Sequence, residues 1–265
     1  MTTPAQQLLI DAIVRVLSAD GRIESAWLTG SLGKGAGDEF SDVDVTVVAP
    51  DGVFEETLRS YSNNTSAIAP VVFSQVVHGR IVNCVTRDWE RFDLTFVKPA
   101  EYAVMPLAAA RPLFNRGTPE RTFPVPPPYK ITAARVLQLT NEFIRVLGLT
   151  PVGIGRGEFL TMQDGTGLLR RMTLDLMMES NGIGPAARGG ALHLNQFLTG
   201  EQRGALEAVP PVGAAPESVL AAGTALARIF LPLAKKLAAE TGAPWPSSFE
   251  DATRAHLART LGAKI

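Results

Sequence analysis

The stretch LTGSLGKGAGDEFSDVDVTVV, residues 28–48, contains two carboxylates whose spacing could support metal chemistry. Asp42 and Asp44 are two residues apart at the start of a β-branched run, so on a strand both side chains lie on one face. Carboxylates held close together repel, and a divalent cation between them removes that cost. Their hard oxygen ligands suit Mg²⁺, which keeps water and substrate phosphates as its other ligands. The spacing therefore predicts a magnesium site.

A third carboxylate, Asp93, lies in the alternating pattern Arg91–Val97, which predicts a second strand. Three carboxylates around one or two Mg²⁺ ions are a known arrangement for in-line phosphoryl or nucleotidyl transfer. Asp42, Asp44 and Asp93 are therefore the candidate catalytic and metal-binding residues.

The segment before these carboxylates has the composition of a phosphate-binding turn. Gly30 lets the backbone approach a phosphate closely, and Ser31 supplies a hydroxyl and a backbone N–H as donors. Lys34 is a candidate for neutralising phosphate charge. The glycine spacing does not match a Walker A loop, and a strand rather than a helix follows, so a dinucleotide fingerprint is also excluded.

The overall composition limits the possible partners. The 265 residues have a net charge of −1 and contain no Lys/Arg cluster interleaved with aromatic residues, so nucleic acid is not an expected partner. No apolar run approaches the roughly 18 residues that cross a bilayer, and no signal-peptide pattern is present. The single cysteine, Cys84, excludes an intrachain disulfide. These features predict a cytoplasmic protein without a membrane partner.

The patterning changes near the middle of the chain and predicts two domains in an α+β fold. The first part mixes helices with strands that are too close together for repeated βαβ units. The segment RTFPVPPPYK, residues 121–130, has four prolines and predicts a linker. We therefore expect an N-terminal mixed-sheet domain at 1–125, binding nucleotide and metal, and a C-terminal α-helical bundle at 126–265, binding the substrate. The expected strands and helices are Ser25–Thr29, Val43–Val48, Val71–Val77, Ile81–Val85 and Arg91–Val97, then Ile131–Leu147, Gly157–Ser180, Val219–Ala239 and Phe249–Leu261.

The motif GSLGKGAGDEFSDVDV, residues 30–45, resembles the signature of the polymerase-β-like nucleotidyltransferase superfamily. Within it, the chain resembles the antibiotic nucleotidyltransferases of lincosamide or aminoglycoside type. That similarity extends to RPLFNRG at 111–117 and to GRGEFL at 155–160. Residues 20–118 carry most of the resemblance, and residues 130–180 match only loosely.

The resemblance implies specific roles for residues of this chain. Gly30 and Ser31 hold the nucleotide phosphates, and Asp42 and Asp44 bind Mg²⁺. Asp93 fills the position of a metal ligand or general base. Glu158, at the start of a helix in the C-terminal domain, is a candidate for binding the substrate, although an acid there also suits the helix dipole. Dimers are common in this group, so a homodimer is a further expectation.

The expected function is Mg²⁺-dependent transfer of a nucleoside monophosphate, AMP if ATP is the donor, to a hydroxyl of a small molecule. An antibiotic of lincosamide or aminoglycoside type is the first candidate acceptor, with antibiotic resistance as the consequence. Residues 130–265 have 14 basic and 11 acidic residues, which favours the less charged lincosamide. Two alternatives stay open: a protein- or tRNA-modifying nucleotidyltransferase of toxin–antitoxin type, and a catalytically silent nucleotide-binding regulator.

Overall fold

The computed structural model describes residues 2–123, 127–188 and 191–265. The chain forms two compact units, Met1–Pro126 and Pro127–Ile265. The domain boundary that the sequence predicts, between residues 125 and 126, falls on residues outside the described ones. The assignment of nucleotide binding to the first unit and substrate binding to the second stays a prediction.

A mixed six-stranded sheet organises the described part of the first unit. Its strands are β1 (Ser25–Leu28), β2 (Val43–Val48), β3 (Val71–Val77), β4 (Ile81–Thr86), β5 (Arg91–Val97) and β6 (Arg111–Asn115). Their order in the sheet is β3-β4-β5-β2-β1-β6. The central pair β2 and β5 is parallel, and every other neighbouring pair is antiparallel. The N-terminal ends of β2 and β5, which carry the three aspartates, therefore share one edge of the sheet.

Among the described residues, four α-helices accompany this sheet: α1 (Pro4–Ala19), α2 (Gly30–Gly33), α3 (Phe54–Asn63) and α4 (Pro99–Val104). The helix α1 begins with a capping box formed by Thr3 and Gln6 and contributes Leu9, Ile13 and Leu17 to the core. The buried core beneath the sheet includes alternate residues of β4 and β5, among them Cys84, whose burial raises its pKa to about 11. The helices α2 and α4 are too short to show a helical repeat, and the sequence analysis missed both.

The second unit is helical, as the sequence predicts, so the α+β fold class is confirmed. Its helices are α5 (Ala133–Gly148), α6 (Thr150–Arg156), α7 (Phe159–Ser180), α8 (Gly200–Glu207), α9 (Pro216–Thr241) and α10 (Ser247–Leu261), with short 3₁₀ segments at Pro185–Ala187 and Ala191–Phe197. The predicted helix Gly157–Ser180 begins two residues later, because Gly157 is left-handed at φ +69° and ends α6. The rings of Phe143 and Phe230 stack at 3.9 Å in the core of this unit.

The helix α9 corrects the expectation that no segment is apolar enough to cross a membrane. Among the described residues it is the one helix with the length and composition of a span, at a mean hydropathy of 1.3. Its buried residues, including Leu226, Phe230 and Leu237, belong to the core of the second unit. A core helix satisfies the same criteria, and this packing accounts for the composition of α9.

A buried ion-pair network joins helices of the second unit. The Glu179 side chain is fully buried. It accepts hydrogen bonds from Arg135 Nη2 at 2.9 Å, from Arg188 Nη2 at 2.7 Å and from the Tyr129 hydroxyl at 2.9 Å. Burial raises the pKa of Glu179, but these hydrogen bonds outweigh burial, and the net pKa is lowered. Its stabilising contribution is therefore lost as the pH falls through that lowered pKa.

We expect Glu179→Ala to reduce the free energy of unfolding by about 3–5 kcal/mol, because it removes the buried acceptor of this network and leaves Arg135 and Arg188 with Asp175 as their only acidic partner among the described residues. Urea denaturation followed by circular dichroism measures this loss. The matched control is Glu142→Ala, which removes a pair with Arg145 whose side chains are about half exposed, and it should cost less than about 0.5 kcal/mol. Equal losses in the two variants would contradict the prediction.

Candidate active site

The parallel pairing of β2 and β5 brings the three predicted carboxylates together. Asp44 and Asp93 are direct register partners, and Asp42 lies two residues before Asp44. Carboxylate oxygens of Asp42, Asp44 and Asp93 lie within 4.8 Å of one another, and all three residues are half-buried. Such a set of oxygens matches the ligand preference of Mg²⁺. Their roles in catalysis and metal binding stay predictions.

Two carboxyl groups of the cluster have raised pKa values. Burial, and then the charges of Asp42 and Asp93, raise the pKa of Asp44 to about 6. Burial also raises the pKa of Asp93, against the lowering effect of a hydrogen bond with Asn83. Repulsion among these groups is the cost that a bound divalent cation would relieve.

The predicted phosphate turn is one turn of helix, α2, rather than an open loop. Gly30, its first residue, has φ +59°, and a Cβ built there would lie 1.8 Å from Asp44 Oδ2. The preceding Thr29 does not cap the helix with its side chain. The first N–H groups of a helix have no intrahelical acceptor, so those of Gly30 and Ser31 could donate to an external one. Only glycine allows this backbone to pass so close to the Asp44 carboxylate.

The two remaining candidate residues occupy different environments. Lys34 is exposed at the end of α2, and its charge acts to lower the pKa of Asp44, so it belongs electrostatically to the cluster. Glu158 lies in the second unit, exposed at the N-cap of α7, with no hydrogen bond from its side chain to the helix end. A role of Glu158 in binding the substrate stays a prediction.

The sequence analysis missed two residues that adjoin the carboxylates. Arg91 lies two residues before Asp93, and its positive charge lowers the pKa values of both Asp44 and Asp93. Asn83 on β4 is the register partner of Asp93 and hydrogen-bonds to it. The alternation of Arg91 and Asp93 along β5 placed both on one face and was a usable signal for Arg91. Asn83 could not be found in this way, because its position depends on the register between two strands.

Two hydrogen-bond anchors hold the segment that leads from α2 to the carboxylates. The buried Gln6 side chain of α1 donates from Nε2 to the carbonyl oxygens of Asp38 and Ser41, both at 2.8 Å. Arg91 donates from Nη2 to the carbonyl oxygen of Phe40 at 2.6 Å. These anchors order the backbone just before Asp42 and thereby position that carboxylate.

Comparison with known proteins identifies the first unit. The family model of the nucleotidyltransferase domain matches residues 10–96. This region is a nucleotidyltransferase domain. The match includes Gly30, Ser31 and all three aspartates, and it confirms the polymerase-β-like superfamily expected from the motif. The chain is therefore a nucleotidyltransferase enzyme.

Two solved structures are similar to this nucleotidyltransferase over most of their length. An aminoglycoside 6-adenyltransferase from Bacillus subtilis is 15% identical, with 94% of this chain and 95% of that chain covered and a TM-score of 0.46. A nucleotidyltransferase-like protein from Exiguobacterium sibiricum 255-15 is 12% identical, with 96% and 88% covered and a TM-score of 0.31. No curated protein sequence matches the chain significantly. These similarities are too distant to argue for a particular acceptor.

Proposed function

We propose that this nucleotidyltransferase uses Mg²⁺ to transfer a nucleoside monophosphate, AMP from ATP, to a hydroxyl group of a small molecule. The observation that supports this reaction is the cluster of Asp42, Asp44 and Asp93 beside the Gly30 turn. Carboxylates and a phosphate-accepting backbone at one sheet edge are the components that in-line transfer of a nucleotidyl group requires.

The residues present fit a divalent metal ion. Three carboxylates contribute oxygens within 4.8 Å of one another, and burial together with the charges of Asp42 and Asp93 raises the pKa of Asp44 in the metal-free protein. Asp42 and Asp44 are the proposed ligands, with Asp93 as a third ligand or as the base. When bound, Mg²⁺ would neutralise triphosphate charge and stabilise the charge that develops during transfer.

The proposed step forms one bond and breaks another at the α-phosphorus atom of the nucleotide. The acceptor oxygen bonds to this phosphorus while the bond to the oxygen that bridges to the β-phosphate breaks. Pyrophosphate leaves with the electron pair, and the hydroxyl proton passes to a base. Asp93 is suited to that role because burial raises its pKa. Gly30, Ser31 and Lys34 are proposed to hold the phosphates through backbone N–H groups, a hydroxyl and an ammonium group.

The proposed acceptor is an antibiotic of the lincosamide or aminoglycoside type, with Glu158 among the residues that bind it. This part of the proposal is supported by the resemblance at residues 30–45, 111–117 and 155–160. Antibiotic resistance, a cytoplasmic location and a homodimer belong to the same proposal and depend on the same resemblance.

A pyrophosphate-release assay tests the function directly. Purified protein is incubated with ATP and Mg²⁺ and with lincomycin, kanamycin or neither, and mass spectrometry examines each compound for added AMP. We expect acceptor-dependent release that EDTA abolishes. Pyrophosphate release without modification of either compound would redirect the search to protein or tRNA acceptors. Binding of ATP with no release across a wider acceptor panel would overturn the proposal in favour of a silent nucleotide-binding protein.

A further inference from the structure

The turn between β4 and β5 contains a tryptophan in an unfavourable setting. Trp89 is 77% exposed and has φ +64°, a conformation that is rare for bulky residues. The backbone N–H of Thr86 donates to the carbonyl oxygen of Glu90, and the N–H of Trp89 donates to that of Thr86. In short hairpin turns of this kind glycine is favoured at the left-handed position. Trp89 therefore costs stability at its backbone and gains no burial in return.

The topology places Trp89 at the edge of the sheet that carries the carboxylates. β4 is antiparallel to β5, and β5 is parallel to β2, so the end of β4 and the starts of β5 and β2 share that edge. A second exposed aromatic side chain, Phe40, is 74% exposed and lies three residues before Val43. Trp89 lies three residues before Phe92, which is the register partner of Val43. The two aromatic residues thus precede adjacent strands at equivalent positions.

Arg91 joins these two aromatic positions. It lies two residues after Trp89, and its guanidinium group holds the carbonyl oxygen of Phe40 at 2.6 Å. Because the bond goes to the backbone of Phe40, the Phe40 ring is not needed for it. The aromatic side chains are therefore exposed on an ordered backbone, as a preformed binding surface requires.

The order of the strands indicates which substrate meets this surface. The phosphate turn follows β1, the carboxylates lie on β2 and β5, and the Trp89 turn joins β5 to β4, so the carboxylates lie between the two turns. In-line transfer brings the attacking hydroxyl to the side opposite the leaving pyrophosphate. With pyrophosphate leaving near Gly30, the acceptor enters from the side of Asp93 and Trp89.

We propose that Trp89, with Phe40, forms a binding surface for the acceptor, on which one face of a hydroxylated saturated ring of sugar type packs. An indole offers a large rigid apolar face with little conformational entropy to lose, and it suits the C–H face of such a ring. The proposal rests on the proposed function for the direction of attack. It adds the surface that recognises the acceptor and the chemical class of the recognised group.

The substitution Trp89→Gly tests this proposal without a risk of unfolding, because glycine is the residue that the turn prefers. We expect the thermal midpoint to stay the same or rise, the acceptor KM to increase on the order of 10-fold, and the ATP KM to change less than about 2-fold. Phe40→Ala should also raise the acceptor KM, because it removes the aromatic ring from the surface. The hydrogen bond from Arg91 to the carbonyl oxygen of Phe40 is kept in this variant. The probes are lincomycin and kanamycin, each with ATP and Mg²⁺.

The matched control is His78→Gly. His78 has φ +51° in the turn between β3 and β4, which lies at the opposite edge of the sheet. The substitution His78→Gly relieves the same kind of backbone strain, and the KM values for the acceptor and for ATP should stay unchanged. An equal increase in acceptor KM in the two glycine variants would show an effect of turn geometry and would overturn the proposal.

Indole fluorescence provides a readout that does not depend on turnover. Saturable quenching by lincomycin or kanamycin in the wild type, absent in Trp89→Gly, supports the surface. The absence of quenching by both compounds would overturn the proposal. Quenching by ATP alone, together with a raised ATP KM in Trp89→Gly, would also overturn it, because it would assign Trp89 to binding the nucleobase. If quenching occurs but no pyrophosphate is released, the proposed function fails for these acceptors while the binding surface stands.

Discussion

Asp44→Asn is expected to abolish nucleotidyl transfer and, in the metal-free protein, to increase stability. The activity should fall by at least about 10³-fold, because a neutral amide cannot replace a carboxylate in binding a divalent cation. Asp42→Asn should cause a loss of similar size. The pyrophosphate-release assay measures both.

The gain in stability follows from the raised pKa of Asp44. Its pKa moves from 3.8 to about 6 because of burial and the neighbouring carboxylates. The folded protein therefore binds a proton more tightly than the unfolded chain, and stability is lost as the pH rises through this interval. At pH 8 the ionised group costs up to about 3 kcal/mol, which asparagine avoids. We expect the thermal midpoint of Asp44→Asn in EDTA to exceed that of the wild type by several degrees at pH 8 and to converge with it near pH 4.

Two comparisons make this prediction specific to the cluster. Asp51→Asn changes an exposed carboxylate just beyond the opposite end of β2, paired with Lys98 at 3.0 Å, and should leave transfer unchanged and stability within about 1 kcal/mol. Added Mg²⁺ should stabilise the wild type more than Asp44→Asn, because a ligand stabilises the state that binds it. Retained transfer in Asp44→Asn would refute the assignment of Asp44 as a metal ligand.

Gly30→Ala is expected to lower transfer by about 10²-fold or more while the fold is retained. A Cβ at this position would lie 1.8 Å from Asp44 Oδ2, so the carboxylate or the turn must move. A displacement of about 1 Å in a catalytic group is enough for a loss of this size. Alanine in the left-handed conformation adds strain of about 1–2 kcal/mol.

Comparison with Gly35→Ala separates the effect of the steric clash with Asp44 from the effect of backbone strain at a left-handed residue. Gly35 has φ +72° in the same segment, and a Cβ there meets no atom of the described residues within 4 Å. Both alanine variants should lose stability through backbone strain, but only Gly30→Ala should lose transfer by this margin. Steady-state kinetics and thermal unfolding of the two variants provide the comparison. Equal activity in them would contradict a close approach of the turn to Asp44.

The reaction class could be predicted from local sequence because its residues follow one another closely. Gly30, Ser31, Asp42 and Asp44 fall within fifteen residues, and alternation along a strand places the two aspartates on one face. Long helices with a clear repeat, such as α5 and α7, were predictable for the same reason: their pattern extends over several turns. Short elements such as α2 and α6 lack that repeat. Their bounds depend on glycines with positive φ, since Gly30 begins α2 and Gly157 ends α6.

The sequence by itself determined the nucleotidyltransferase chemistry, the two kinds of secondary structure and the candidate carboxylates. Only the tertiary structure decided that Asp93 meets Asp44, since this contact depends on the parallel register of two strands that are far apart in the chain. It also decided that Asn83 adjoins the cluster and that Trp89 shares its edge of the sheet. Spacing along a chain describes neighbours within one element, whereas a site built from several strands depends on which strands pair and in what register.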